Sequence, residues 1–273
     1  MNYINILIRV SGFAFVLGVA FAPVSATAAT IRAGGTGSAL GTVMILAEAF
    51  QASRPDTKFS VLPSLGSSGG IKAVAEGRLD IGLSGRALKP TERAQGLAEQ
   101  EIGRTPLVLA SMRSHAGFTL SEVAAIFSGT LQTWPDGSPL RPILRPEVDS
   151  ETPLLRAISP EIDRALTIAR ARQGVHTAIT DQDSADAIER VPGALGTTTL
   201  ALILSERRKI KMLPVNGVAP SVSALAQGTY PYFKPLYFVT PHDASEPARA
   251  FVAFIQSKQG AKILSDNGYL LSK

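Results

Sequence analysis

Three short runs in this sequence collect residue types that hold an anion through backbone and hydroxyl donors. They are Gly34-Gly35-Thr36-Gly37-Ser38, Gly66-Ser67-Ser68-Gly69-Gly70 and Asp149-Ser150-Glu151-Thr152. Glycine lets a backbone approach a ligand closely, and serine or threonine adds an O–H donor. One such run is ordinarily a helix cap or a turn. Three of them accompanied by Arg86 and Arg145 describe a site for an oxyanion, because a guanidinium offers a planar fork that bonds two oxygens at once. The first run is not a nucleotide loop. No Gly-Lys-Ser/Thr follows it, and Gly35-x-Gly37 lacks the third glycine of a dinucleotide fingerprint.

Each run must be placed by the elements around it. Residues 30–33 form a short apolar strand that enters the first run. Leu40, Val43, Met44, Ala47 and Phe50 then fall at helical spacing. Residues 58–62 read as a strand, and Ile71, Val74, Ala75 and Leu79 mark a helix after the second run. Strands follow at 80–84, which ends on Ser84, and at 106–110. A helix carries Leu120, Val123, Ala124 and Phe127, and a strand runs through Ile143 and Leu144. Thr152-Pro153 reads as a helix start, with threonine as N-cap and proline at the first helical position. Ile162, Ala165, Leu166 and Ala169 continue helical. "VPGALGTTTLALI" is a turn into a strand, 209–215 is another strand, and Ser245-Glu246-Pro247 caps a last helix. Strand–loop–helix repetition of this kind predicts a parallel sheet with helices on both faces. Loops at the carboxyl ends of such strands are where ligands bind, and helix N-termini there carry free N–H groups and partial positive charge.

The chain has 273 residues, and its first 29 read as a signal peptide cleaved near Ala28/Ala29. Arg9 is the only charge before Arg32, residues 10–22 are almost wholly apolar, and Ala26-Thr27-Ala28 offers a small-x-small site. That places the protein in the periplasm. There is no cysteine, which excludes disulfides, a thiol nucleophile and a lipid-anchored export signal. With Arg9 set aside, 27 basic residues become 26 against 22 acidic ones, a net charge of +4. The basic residues are scattered except for Arg207-Arg208-Lys209-Ile210-Lys211, read as a solvated face without interleaved aromatics. Nucleic acid is therefore not an expected partner.

Enzymatic readings fare worse than binding. His115, His176 and His242 lack metal-ligand spacing, and Ser84 sits in Gly-Leu-Ser-Gly, one residue short of a nucleophile elbow. Asp181, Asp183 and Asp186 read as acids at a helix start, where the dipole favours them. Trp134 reads as a core or turn-packing residue. No cofactor or metal is expected. The alternative to a binding protein is a secreted hydrolase or transferase acting on phosphorylated or anionic substrates in the same cleft.

These residues carry a resemblance. "GGTGSA", "GSSGG" before a helix, "DIGLSGRALKP", "TLSEVAAIFSGTLQTWPDGSPLRPILRP", "VPGALG" and "GTYPYFKPLYFVT" occur in an order similar to that of the phosphate-binding, type II periplasmic receptors of bacterial ABC importers. The resemblance implies a two-lobed α/β fold, each lobe a mostly parallel sheet flanked by helices, with two crossing segments near 105–113 and 232–240. Lobe 1 would comprise 30–107 plus 238–273, and lobe 2 would comprise 108–237. It implies a monomer that binds phosphate or a similar oxyanion and works with an inner-membrane permease or a sensor. Gly37, Ser38, Ser67 and Ser84 would bind from one lobe, and Arg145, Ser150 and Thr152 from the other. Ser68, Gly69, Arg86 and Glu151 join them as neighbours in the same runs. Two departures stand out. The family aspartate after the serine at 84 is Gly85 here, and Ser-Gly-Thr is Ser150-Glu151-Thr152, one residue further from Arg145. Glu151 or Asp149 is the candidate replacement for that aspartate; equally, both acids would serve the helix starting at Pro153 through its dipole.

Overall fold

Alternation of apolar side chains and punctuation by glycine build one ten-stranded mixed sheet. The computed structural model describes residues 29–272, so the signal-peptide expectation lies almost wholly outside it. The first part runs β1 (Ala29–Gly35), a 3-10 turn (Gly37–Ala39), α1 (Leu40–Ser53), β2 (Thr57–Val61), α2 (Gly66–Ala75), β3 (Ile81–Ser84), α3 (Pro90–Arg93) and β4 (Leu97–Ser111). The middle is α4 (Leu120–Ser128), β5 (Arg141–Leu144), α5 (Glu151–Arg156), α6 (Pro160–Ala171), β6 (His176–Thr177) and α7 (Asp181–Arg190). The chain continues through β7 (Ala194–Thr199), α8 (Leu200–Ser205), β8 (Lys211–Leu213), α9 (Val222–Ala226) and β9 (Phe233–Pro241). It ends on α10 (Glu246–Ile255), α11 (Lys258–Asp266) and β10 (Leu270–Leu271). No helix among the described residues is long and apolar enough to cross a membrane.

The strand order is β2-β1-β3-β9-β4-β7-β5-β6, with β8 and β10 also paired to β4. β1 pairs in parallel with β2 and β3, and β5 pairs in parallel with β6 and β7. The long strands depart from the parallel expectation. β4 and β9 run antiparallel from Leu97↔Pro241 to Pro106↔Phe233, and the far end of β4 pairs antiparallel with β7. Two cores follow. One gathers Ile31, Val43, Phe50, Ile81, Phe238 and Phe251. The other gathers Leu107, Phe127, Trp134, Leu166, Leu195 and Tyr230. Trp134 is a packing residue as expected, with its indole N–H donated to Gly193 O at 3.1 Å.

Several local expectations change. The Ser-Ser-Gly-Gly run is the first turn of α2 rather than a loop before it. Helix α5 starts at Glu151 with Ser150 as N-cap, so Thr152 lies inside it. Pro153 is still tolerated, because a first-turn residue needs no intrahelical N–H. The run "LALILS" is helix α8, capped by Thr199 donating no N–H but accepting that of Leu202. A continuous apolar run cannot be split into strand and helix by periodicity alone.

Glycine is needed where β1 meets α2. Gly35 has φ 146°, and a Cβ there would lie 2.0 Å from Leu83 O. A Cβ on Gly70 would lie 2.7 Å from Gly35 Cα. These close approaches bring the N-terminus of α2 against the ends of β1 and β3, where the candidate site lies.

Candidate functional site

Ser67 sits in the first turn of α2, and its hydroxyl faces the N-cap of α5. It accepts the Gly85 N–H at 2.8 Å and donates to Ser150 Oγ at 3.0 Å. That bond joins the first turn of α2 to the N-cap of α5 beside a cleft of about 410 Å³, lined by Ser64, Ser67, Gly69, Arg145, Ser150 and Thr180 among others. Both hydroxyls stand at helix starts, where the helix dipole favours negative charge.

Arg145 follows β5 directly and is almost entirely buried. One terminal nitrogen donates to Ala178 O at 2.9 Å and the other to Asp149 at 2.7 Å; Asp181 stands at 3.9 Å. Its Nε is buried with no hydrogen-bond partner. Asp149 also accepts the Glu151 N–H at 2.9 Å, so it serves both the arginine and the helix start.

The remaining expected residues divide. Ser68 and Gly69 line the cleft. The fork of Arg86 is taken by Glu92, at 2.8 and 2.7 Å, and one arm also reaches Ser68 Oγ at 3.1 Å. Ser84 is buried, but its hydroxyl closes a local turn onto Arg86 O at 2.6 Å. Thr152 donates to Pro146 O at 2.8 Å and receives Arg170 at 3.3 Å, which supports the loop from behind. Gly37 and Ser38 are buried against α7: Gln182 donates to Gly37 O at 2.9 Å, and Thr36 links Ser38 at 3.1 Å to Asp181 at 3.3 Å.

Behind these donors lies a dry charged cluster that the sequence reading missed. Lys234, from β9, is fully buried and donates to Asp181 at 2.8 Å, with Glu151 at 3.8 Å. Asp181 begins α7, as an acid at a helix start should, but its carboxylate is buried and bonded to Lys234. Burial alone would raise its pKa. The Lys234 and Arg145 charges, with bonds from Lys234 and the Ser38 amide, outweigh that and hold it below the usual carboxylate range. Glu151 goes the other way. Burial dominates and pushes its carboxyl up, against the opposing pull of Lys234 and Arg145. It accepts from Thr197 Oγ1, and its second oxygen has no hydrogen-bond partner. For Lys234, burial would depress the ammonium, yet Asp181 and Glu151 raise it above its ordinary value, so it stays charged.

This geometry revises the search for the missing aspartate. A Cβ at Gly85 would lie 2.8 Å from Lys234 Cε, 2.9 Å from Ser150 Oγ and 3.4 Å from Ser67 Oγ. Lys234, not Glu151 or Asp149, stands against Gly85. The one available signal was a lone lysine inside the apolar strand "YFKPLYFV". No group of histidine and carboxylate side chains among the described residues could hold a metal ion.

Comparison with known proteins agrees with this architecture. The phosphate-binding protein PstS of Bacillus subtilis (strain 168) is 25% identical over 240 residues, covering 84% of this chain and 76% of that protein. A phosphate ABC transporter substrate-binding protein with bound phosphate, from Clostridium perfringens, superposes with a TM-score of 0.76 at 21% identity, covering 89% of this chain and 100% of that one. The periplasmic molybdate-binding protein of Azotobacter vinelandii gives a TM-score of 0.64 at 15% identity, covering 89% and 100%. These two likenesses show the fold. The match to a family model runs over residues 22–259, nearly the whole chain, and the chain therefore belongs to the family described as the PBP superfamily domain.

Proposed function

We propose that this chain is an exported solute receptor for inorganic phosphate or a similar tetrahedral oxyanion. Two lobes, 30–107 with 238–273 and 108–237, close on the anion and deliver it to an inner-membrane ABC permease or a sensor protein. The observation that carries the reading is the meeting of Ser67 and Ser150 across the cleft, beside a buried guanidinium whose Nε has no partner. A tetrahedral anion presents several oxygens to donors arriving from both sides, which suits hydroxyls, first-turn amides and a guanidinium together. The named phosphate-binding relatives support the same ligand class, and nothing among them supports the hydrolase alternative.

Gly37, Ser38, Ser67, Ser68, Gly69, Arg145 and Ser150 form the inner set in this reading. Ser84, Arg86, Glu151 and Thr152 position it: Arg86, held by Glu92, steadies Ser68, and Thr152 braces the loop that carries Arg145. The test is titration calorimetry with phosphate on protein unfolded, washed free of small anions and refolded. Saturable one-to-one binding without turnover of a generic phosphoester is expected. Absence of binding, or release of phosphate from the ester, overturns the reading.

A further inference from the structure

The oxyanion reading uses one buried cation, Arg145, yet the structure supplies two. Lys234 lies on β9 opposite Thr105, just before β4 goes on to pair with β7 from Leu107. Its side chain is 1% exposed, which is rare for lysine unless its charge is answered. The answer is incomplete. Of three N–H donors, one goes to Asp181 at 2.8 Å, and the nearest other carboxylate oxygen, on Glu151, is 3.8 Å away.

The side chain also passes the right place. Lys234 Cε lies 2.8 Å from the point where a Gly85 Cβ would be, and Ser150 Oγ and Ser67 Oγ lie 2.9 and 3.4 Å from the same point. The ammonium-bearing end therefore runs beside the Gly85 N–H, Ser67 and Ser150 donors. The surrounding charges make the same case. Asp149 is answered by Arg145 and Asp181 by Lys234, so the acids nearest the donors are already neutralised. Without Lys234, the Asp181 carboxylate would keep only Arg145, 3.9 Å away, as a cationic neighbour and would repel an incoming anion more strongly.

Resting on the oxyanion reading, we propose that Lys234 is a further binding residue of that site, the second cation that fits it to a doubly charged tetrahedral anion. Its place on β9, held between β3 and β4, keeps that charge fixed while Arg145 and Ser150 arrive from one side and Ser67 from the other.

Removing the lysine alone would strand Asp181 in the interior and strongly destabilise the fold. The test is therefore the pair Lys234→Met with Asp181→Asn, beside Asp181→Asn alone. The pair removes both members of the bonded ion pair and leaves Glu151, whose carboxyl burial already pushes towards its neutral form. Phosphate is the probe, measured by calorimetry, with a melting transition recorded for each protein. The double variant should bind phosphate at least roughly thirtyfold more weakly than the parent. Asp181→Asn alone should bind at least as tightly, since it removes a negative charge and keeps the lysine. A double variant within about threefold of the parent overturns the proposal, because Lys234 then only screens Asp181. An Asp181→Asn variant as weak as the double one also overturns it, by assigning the loss to the aspartate. Failure of the parent to bind phosphate would instead sink the oxyanion reading itself, so the two failures are separable.

Discussion

Ser67 and Ser150, 83 positions apart in the chain, share a 3.0 Å hydrogen bond across the cleft. Each stands at a helix start, Ser67 in the first turn of α2 and Ser150 as the N-cap of α5. Ser67 also accepts the Gly85 N–H, so one hydroxyl orders three segments at once. A hydroxyl pair of this kind is a closure contact as well as a donor set.

Ser67→Ala and Ser150→Ala should each weaken phosphate binding by roughly three- to tenfold, the range of a net hydrogen bond of about 0.5–1.5 kcal/mol. The double variant should lose less than the sum, because the two share one bond. Calorimetric double-mutant cycles check this, and strict additivity would mean the pair does not act as a unit.

Arg145→Ala should cost much more. Removing a hydrogen-bonded charge from a desolvated anion site costs about 2–5 kcal/mol, so a loss of at least roughly thirtyfold is expected. Asp149 is left without its partner in that variant and adds a stability loss. Arg145→Lys keeps the charge without the fork and should fall between the two. A change below about threefold in a folded Arg145→Ala protein would remove the residue from the site.

The sequence disclosed the donor loops because their chemistry is local. Glycine and serine clustered beside an amphipathic helix mark its start, although Ser67 and Gly69 lie inside the first turn of α2 and not in a loop before it. It did not disclose the charged cluster. Lys234 and Asp181 are 53 positions apart and meet only because β9 and the start of α7 converge. Asp181 also satisfied a helix-start rule, which hid its second partner. The antiparallel β4–β9 ribbon was missed for a related reason. Residues 97–105 carry Glu99, Glu101 and Arg104 on a half-exposed face, and the apolar signal begins only at Leu107.

Closure should be visible in solution. The Ser67–Ser150 and Gln182–Gly37 contacts tie α5 and α7 to α2 and the 3-10 turn. Clefts of this kind close around ligand by hinge motion. Small-angle scattering should give a smaller radius of gyration at saturating phosphate than without it. An identical radius would argue for a cleft that fills without closing.

Glu151 should make stability depend on pH in a defined direction. Its folded pKa is raised above the ordinary glutamate value, chiefly by burial. A raised carboxyl contributes stability that is fully present below the unfolded pKa and lost as pH climbs through the folded one. Glu151→Gln is neutral throughout, so its melting temperature relative to the parent should rise with increasing pH above the ordinary glutamate range. Asp181, held low, contributes in the opposite sense, its stability present above the unfolded aspartate pKa and lost as pH falls, so it acts at lower pH than Glu151. Melting curves of both proteins over mildly acidic to mildly alkaline pH decide the matter. A constant difference would mean that Glu151 does not titrate abnormally.

Gly85→Ala probes the point where the two sides of the cleft press on each other. The added methyl would lie 2.8 Å from Lys234 Cε and 2.9 Å from Ser150 Oγ, both closer than real Cβ contacts allow. Lys234 is tied to Asp181 and has little room to retreat, whereas Ser150 belongs to the other core and moves away if the cleft opens. Overpacking in a fixed core costs about 1–3 kcal/mol. Here the strain is relieved by opening, so it should appear mainly as lost ligand affinity. Phosphate binding is expected to weaken by at least roughly tenfold, with the ligand-free melting temperature nearly unchanged. A variant that melts much lower but binds normally would place the clash within one rigid body, and would show that Ser150 and Gly85 keep their contact whether or not the anion is bound.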